Sequence, residues 1–193
     1  MNTVYFDEVA EQSLERAEKL LAGIPDGVRR AVRSALSRAA QHGLTVGMRI
    51  VSGEYAIGQN ELKSRTKQVS RVIRDDGGGY EITFGYRGAV IPLLRFDTRV
   101  GSDGRIHARV LRSSARQLIP NAFVARVQGQ HTGVFVREGA GRNPIHELFG
   151  PSAVAAFYAH EETVDKMDEE IRATYEKRVE HEITRILNGW GGT

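Results

Sequence analysis

The sequence predicts an α+β fold: a mostly antiparallel sheet of about six strands packed by an N-terminal helical pair and a long C-terminal helix. Apolar residues recur at helical spacing near the N-terminus, alternate through the middle, and return to steps of three and four near the C-terminus. The alternating segments are joined by short turn-forming clusters, and connections that short join antiparallel strands. The chain has 193 residues, 40% apolar and 26% charged, the size and composition of one globular domain. We read it as a single domain over 1–193, with a helical part over 1–66, a sheet part over 67–138, and a loop and long helix over 139–193.

Residues 5–22 set Phe6, Val9, Leu14, Leu20 and Leu21 at helical spacing among Glu, Arg and Lys. Gly23-Ile24-Pro25-Asp26-Gly27 ends that helix. The next helix carries Val28, Val32, Leu36 and Ala39 on one face, with Arg29, Arg30, Arg33 and Arg38 largely off it. Its alanines favour helix as far as His42. Gly43 and Gly47 weaken the helix beyond that point, while Met48, Val51 and Tyr55 continue the same face. Asn60-Glu61-Leu62-Lys63 reads as a short capped helical turn.

The period then changes. Val69 to Arg74 reads as a strand, Asp75-Asp76-Gly77-Gly78-Gly79 as a hairpin turn, and Tyr80, Ile82, Phe84 and Tyr86 as the alternating face of the return strand. Strands are expected from Leu93 to Val100 and from Arg105 to Arg112, about a Gly101-Ser102-Asp103-Gly104 turn. Phe123 to Val127 and Gly133 to Arg137 form another hairpin about Gln128–Thr132. From Gly139 the stretch GAGRNPIHELFGPS reads as a loop. A helix over 152–188 would be ~55 Å long at 1.5 Å per residue, so a bend is expected near Ala159-His160. Its stripe is Val164, Met167, Ile171, Tyr175, Val179, Ile183 and Ile186, extended by Leu187 and Trp190.

Cysteine is absent, which excludes disulfides, thiol catalysis and Cys-based zinc sites. No apolar run approaches the ~20 residues that cross a bilayer, and the acidic, amphipathic start MNTVYFDEVAEQSLER lacks the pattern of a signal peptide. Net charge is +3, divided into +6 over residues 1–116 and −3 over 117–193. All the basic residues except Lys19, Lys63, Lys67, Lys166 and Lys177 are arginine. Codon bias in a GC-rich genome accounts for such an excess, and so does a surface built for phosphate or carboxylate.

Motifs for catalysis fail one by one. His146-Glu147, His160-Glu161 and His181-Glu182 would each need a second His four residues after the first to share a zinc, and those positions hold Gly150, Val164 and Arg185. No lysine follows a glycine, so the P-loop pair is missing, and Ile82 breaks the dinucleotide spacing after Gly77 and Gly79. Gly101-Ser102-Asp103-Gly104 lacks the flanking spacing of a nucleophile elbow. Asp168-Glu169-Glu170 and Glu180/Glu182 lie along one helix, whereas catalytic carboxylates converge from different elements. We expect no catalytic residues, no metal and no cofactor.

Two segments couple Pro-fixed backbone to large apolar anchors: Leu118-Ile119-Pro120-Asn121-Ala122-Phe123 and Arg142-Asn143-Pro144-Ile145-His146-Glu147-Leu148-Phe149-Gly150-Pro151. Either they close the core over the sheet, or they present a rigid edge to another subunit. Together with Gly133-Val134-Phe135, Arg137 and Ser152, and with Pro92-Leu93 and Arg95-Phe96 before them, these segments resemble the phage minor tail protein Z family, also described as tail completion proteins. The resemblance covers nearly the whole chain and is most specific over 117–152. It implies a structural virion protein, made and assembled in the bacterial host cytoplasm, that completes the head-proximal end of a long tail. That role includes joining the capsid connector and positioning DNA for ejection. It implies self-association, usually as a ring, contacts with other tail and neck proteins, and no membrane.

The resemblance also gives the arginines a use, with Arg29, Arg30, Arg33 and Arg38 as candidates to meet double-stranded DNA without reading its sequence. The alternative is a sequence-nonspecific DNA-binding module built on the arginine-rich N-terminal half. The long helical stripe exceeds what a sheet of about six strands at ~4.8 Å each need cover, so its end near Ile186, Leu187 and Trp190 is expected to meet another subunit.

Overall fold

Helix propensity and apolar spacing act together at the start of the chain. The computed structural model describes residues 3–4, 9–74, 80–127, 129, 131–139 and 141–189. Phe6, the Asp75–Gly79 turn, Gln128 and Gln130 of the Gln128–Thr132 turn, Trp190 and the side chains of Val9, Tyr80, Ile82 and Phe84 lie outside the described set. A short strand β1 (Thr3–Val4) precedes helix α1 (Val9–Leu21), and α2 runs unbroken over Gly27–Glu54. Strands β2 (Thr66–Arg74) and β3 (Tyr80–Gly88) follow a short helix α3 (Gln59–Ser64), which starts from Gly58 without the expected side-chain cap. The described residues group into two compact units, the first of Met1–Gly47, Lys67–Arg87 and Glu161–Thr193, the second of Met48–Thr66 and Gly88–His160.

The first unit is a helical layer with a three-stranded sheet ordered β1-β3-β2. Val28, Val32, Leu36 and Ala39 of α2 are buried as their spacing predicts, and the arginines between them are exposed. Among the described side chains of α1 the buried positions are Ala17 and Leu21, while Leu20, read as part of the apolar face, is exposed. The C-terminal helix α5 (Glu161–Leu187) buries Met167, Ile171, Tyr175, Val179, Ile183 and Ile186 and packs along α1. Thr163 rather than Val164 takes the first inward position. Ile186 is buried within the chain, whereas Leu187 next to it, also expected to meet another subunit, is exposed. Gly43 allows α2 to approach α5 closely, since a Cβ there would collide with Ile171 Cγ1 and Cδ1. The glycine that weakens the helix locally thus makes the helix–helix contact. The Tyr86 hydroxyl donates to the Ala40 carbonyl at 2.6 Å and ties β3 to α2.

Tyr175 sits in the middle of the α5 stripe with its hydroxyl buried and without a hydrogen-bond partner. Burial pushes its ionisation up to about 12. The unfolded chain ionises this group near pH 10, so stability falls between about pH 10 and 12 as the unfolded state loses its proton first. Tyr175→Phe is expected to raise stability at neutral pH by about 1 kcal/mol, because it removes an unsatisfied buried hydroxyl. It should also flatten the alkaline loss. Urea titrations of both proteins at pH 7 and above pH 10 check the two effects.

The second unit holds the remaining strands in small sheets. Strand β4 (Ile91–Pro92) leads into a 3₁₀ turn, Leu93–Arg95, where the sequence suggests a strand throughout. Strands β5 (Asp97–Val100), β6 (Ile106–Arg109) and β7 (Gln117–Leu118) form one antiparallel sheet. Strands β8 (Ala122–Val127), β9 (His131–Arg137) and β10 (Ile145–Glu147) form another, ordered β10-β9-β8. Strand β11 (Phe149–Gly150) pairs with β4. The segment read as a loop from Gly139 therefore supplies two strands. The fold is α+β with antiparallel pairing, but the strands divide among separate short sheets. Pro92, Pro120, Pro144 and Pro151 lack the N–H that would extend a ladder, which keeps the sheets short.

The last helical segment is interrupted where a bend is expected. Helix α4 (Ala153–Tyr158) is capped by Ser152, whose hydroxyl accepts from the Ala155 N–H at 3.0 Å. The chain leaves the helix at Ala159-His160 and restarts as α5, with Glu161 and Glu162 in a first turn that favours negative charge.

Candidate assembly surface

Motif residues from distant positions of the sequence meet in the second unit. Phe149 pairs with Pro92 and Gly150 with Ile91 across β11 and β4. The Phe96 ring lies on Gly150, where a Cβ would come within 2.5 Å of Phe96 Cε2, so only glycine fits. The Leu93 N–H donates to the Leu148 carbonyl at 2.8 Å, and the Leu148 N–H to the Val134 carbonyl at 2.8 Å, so Leu148 joins the 3₁₀ turn after β4 to β9. Pro120 and Asn121 occupy the corners of a turn closed from the Ala122 N–H to the Ile119 carbonyl at 3.3 Å. Proline first and a residue with φ 57° second is the arrangement of a type II turn. The Ile119 N–H also donates to the Ile106 carbonyl at 2.8 Å, which fixes this turn to β6.

Phe123 and Phe135 face each other across β8 and β9 with centroids 6.3 Å apart. The Arg137 guanidinium stacks over Phe123 at 4.5 Å and donates to the Arg142 carbonyl at 3.1 Å. The Asn143–Pro144 bond is cis, and the Pro144 carbonyl accepts from the Glu138 N–H at 3.1 Å. Burial then sorts the anchors. Phe135 is in the core; Ile119, Phe123, Ile145, Leu148, Gly150 and Pro151 are half-buried; Leu118, Pro120, Arg137, Pro144 and Phe149 are exposed. Among the described residues the second unit exposes Val90, Val100, Leu111, Leu118, Val124, Phe149 and Tyr158, and the first only Leu20 and Leu187. Among the described side chains, the unit that carries the motif thus offers several exposed large apolar groups.

The histidines of the three His-Glu pairs find glutamates, mostly not their sequence neighbours. His146 meets Glu138 at 2.7 Å, His160 meets Glu54 at 2.9 Å, and Glu147 is taken by His131 at 2.8 Å. His181 lies 4.0 Å from Glu182. Among the described residues no three His, Asp or Glu groups converge as metal donors, and no helix is long and apolar enough to cross a membrane.

Charge is organised away from the arginines that the sequence singles out. Arg29, Arg30, Arg33 and Arg38 are spread along the solvent side of α2, with Arg29 3.5 Å from Asp26. In the second unit Arg95, Arg99, Arg109, Arg112 and Arg116 line one open pocket of about 290 Å³, floored by Ala56–Gly58 and Phe96. Asp97 stands among them, 2.7 Å from Arg109, 2.8 Å from Arg116 and 3.5 Å from Arg99. The hydrogen bond from Arg116, then that from Arg109, holds the Asp97 carboxyl below the usual carboxylate range against the opposing effect of desolvation. The signal present in the sequence is the alternation Arg95, Asp97, Arg99 opposite Arg109. It becomes a cluster only through the β5–β6 register, which places Asp97 beside Arg109.

Comparison with known proteins gives a family and no closer relative. No curated protein and no solved structure matches the chain. The family model of the prophage minor tail protein Z (GPZ) matches residues 11–188, a span that includes every described motif residue. The chain belongs to this family of phage minor tail proteins, and its role is that of a structural part of the tail.

Proposed function

We propose that this protein completes the head-proximal end of a long phage tail, as a ring of identical subunits that joins the tail to the capsid connector and helps position DNA for ejection. The family match over residues 11–188 carries the reading. The second unit supports it, because exposed Leu118, Val124 and Phe149 stand on backbone fixed by Pro120, Pro144 and short ladders. A rigid edge with apolar anchors binds neighbours at low ordering cost. The partners are other copies of the chain and the adjoining tail and neck proteins, met in the host cytoplasm during assembly and kept in the virion. The work is stoichiometric and requires no reaction.

Deletion of the gene from its phage tests the proposal. Heads and tails should form, while electron micrographs show tails that fail to join or that join without retaining DNA, and infectivity falls sharply. Normal infectivity without the protein, or its location at the distal tip, overturns the reading.

A further inference from the structure

We propose that the arginine pocket of the second unit is a phosphate site for the backbone of double-stranded DNA, and that DNA is met here rather than along α2. Five arginines and one aspartate line it, a local excess of four positive charges. Asp97 is already shared by Arg99, Arg109 and Arg116, so it orients their guanidinium groups without neutralising them. The Arg112 Nε donates to the neutral Ser52 carbonyl at 2.9 Å. Arg95 lies 3.6 Å from Glu61, which Arg65 holds more closely at 2.8 Å. The pocket is thus built by its own framework, and its arginines outnumber the single carboxylate that lines it.

The chemistry favours phosphodiester over carboxylate. One carboxylate would answer a quarter of this charge, whereas duplex DNA presents one anion per ~1.7 Å of axis. The obvious carboxylate donor is α5 of a second copy, and three of its nine acids are already engaged: Glu180 by Arg16 at 2.8 Å, Glu170 by His42 at 3.1 Å, Asp168 by Arg172 at 2.7 Å. The rim residues Arg95 and Arg99 are more than half exposed, which suits an extended ligand passing over the opening. Guanidinium groups that meet phosphate oxygens fix position on the duplex and carry no sequence information, so binding through this pocket should ignore sequence.

The experiment is fluorescence anisotropy of the full chain with two short labelled duplexes of unrelated sequence, over a range of salt. Both duplexes should bind equally. Arg99→Gln with Arg112→Gln should weaken binding about tenfold or more and lower the salt slope by about 2, one unit per lost phosphate contact. Arg33→Gln with Arg38→Gln on α2 should change neither. If the first double variant does not fold, Arg99→Glu decides the matter, since Arg99 is 68% exposed and carries little of the structure. Absence of duplex binding at low salt, equal binding by the pocket variant, or loss confined to the α2 variant overturns the assignment. So does stronger competition by a peptide of residues 161–180 than by unlabelled duplex, which would make the ligand a carboxylate face. The identity of the DNA as that of the phage rests on the tail reading, but the two fail separately. A chain that enters tails and binds no duplex overturns only the pocket, and one that binds duplex and never enters tails overturns only the tail role.

Discussion

Ile171→Asp is expected to abolish the cooperative thermal transition of the first unit. Ile171 is 2% exposed and fills the space over Gly43, where α2 comes closest to α5. Losing a buried Ile side chain costs ~2–5 kcal/mol. The aspartate must in addition leave water without a cation to meet it, at several kcal/mol more. Together these match the ~5–15 kcal/mol that holds a typical domain. Circular dichroism melts check the result, and a variant that still melts sharply near the parent temperature would mean the stripe is not the core. The same contact can be probed from the other helix. Gly43→Val pushes a branched side chain into Ile171 and should cost about 1–3 kcal/mol or more. Combining Gly43→Ala with Ile171→Ala should recover part of what each costs alone, since the two side chains compete for one space.

Phe149→Ala should leave the isolated chain folded and abolish its entry into particles. Phe149 is 47% exposed, so truncation removes about half of the ~1.5–3 kcal/mol that full burial of a Phe contributes. The melt should move by only a few degrees. Central aromatic anchors of an interface, by contrast, commonly carry about 2 kcal/mol or more of binding each, enough to lose a ring in which every subunit repeats the defect. Sedimentation of the purified variant and complementation of a deletion phage separate the two effects. Gly150→Ala is the internal contrast: its Cβ would run into Phe96, so it should destabilise the fold itself by about 1–3 kcal/mol. Normal complementation by Phe149→Ala would remove this residue from the assembly surface.

Much of the architecture was legible along the chain because local physics decides it. Alanines and a four-step apolar face specify α2, and the same spacing specifies α5. The break before Glu161 follows from a length too great for a body of this size and from acids suited to a helix start. The α+β class and the antiparallel hairpins follow from alternation and short turns, and the family from motifs whose order is visible by eye. Leu20 could not be placed that way, because helical spacing gives a face but not how far a neighbour covers it. Strands β10 and β11 were hidden in a Pro- and Gly-rich stretch, since each is short and is made a strand by its partner on β9 or β4 rather than by its own composition. Gly150 and Phe96 read as separate motif fragments until the fold laid the ring on the glycine. The arginine pocket was the least legible feature, for the alternation of Arg95, Asp97 and Arg99 does not say which arginines of other segments it will meet. Only the pairing of β5 with β6, and the return of the chain past Arg112 and Arg116, brings those guanidinium groups around Asp97.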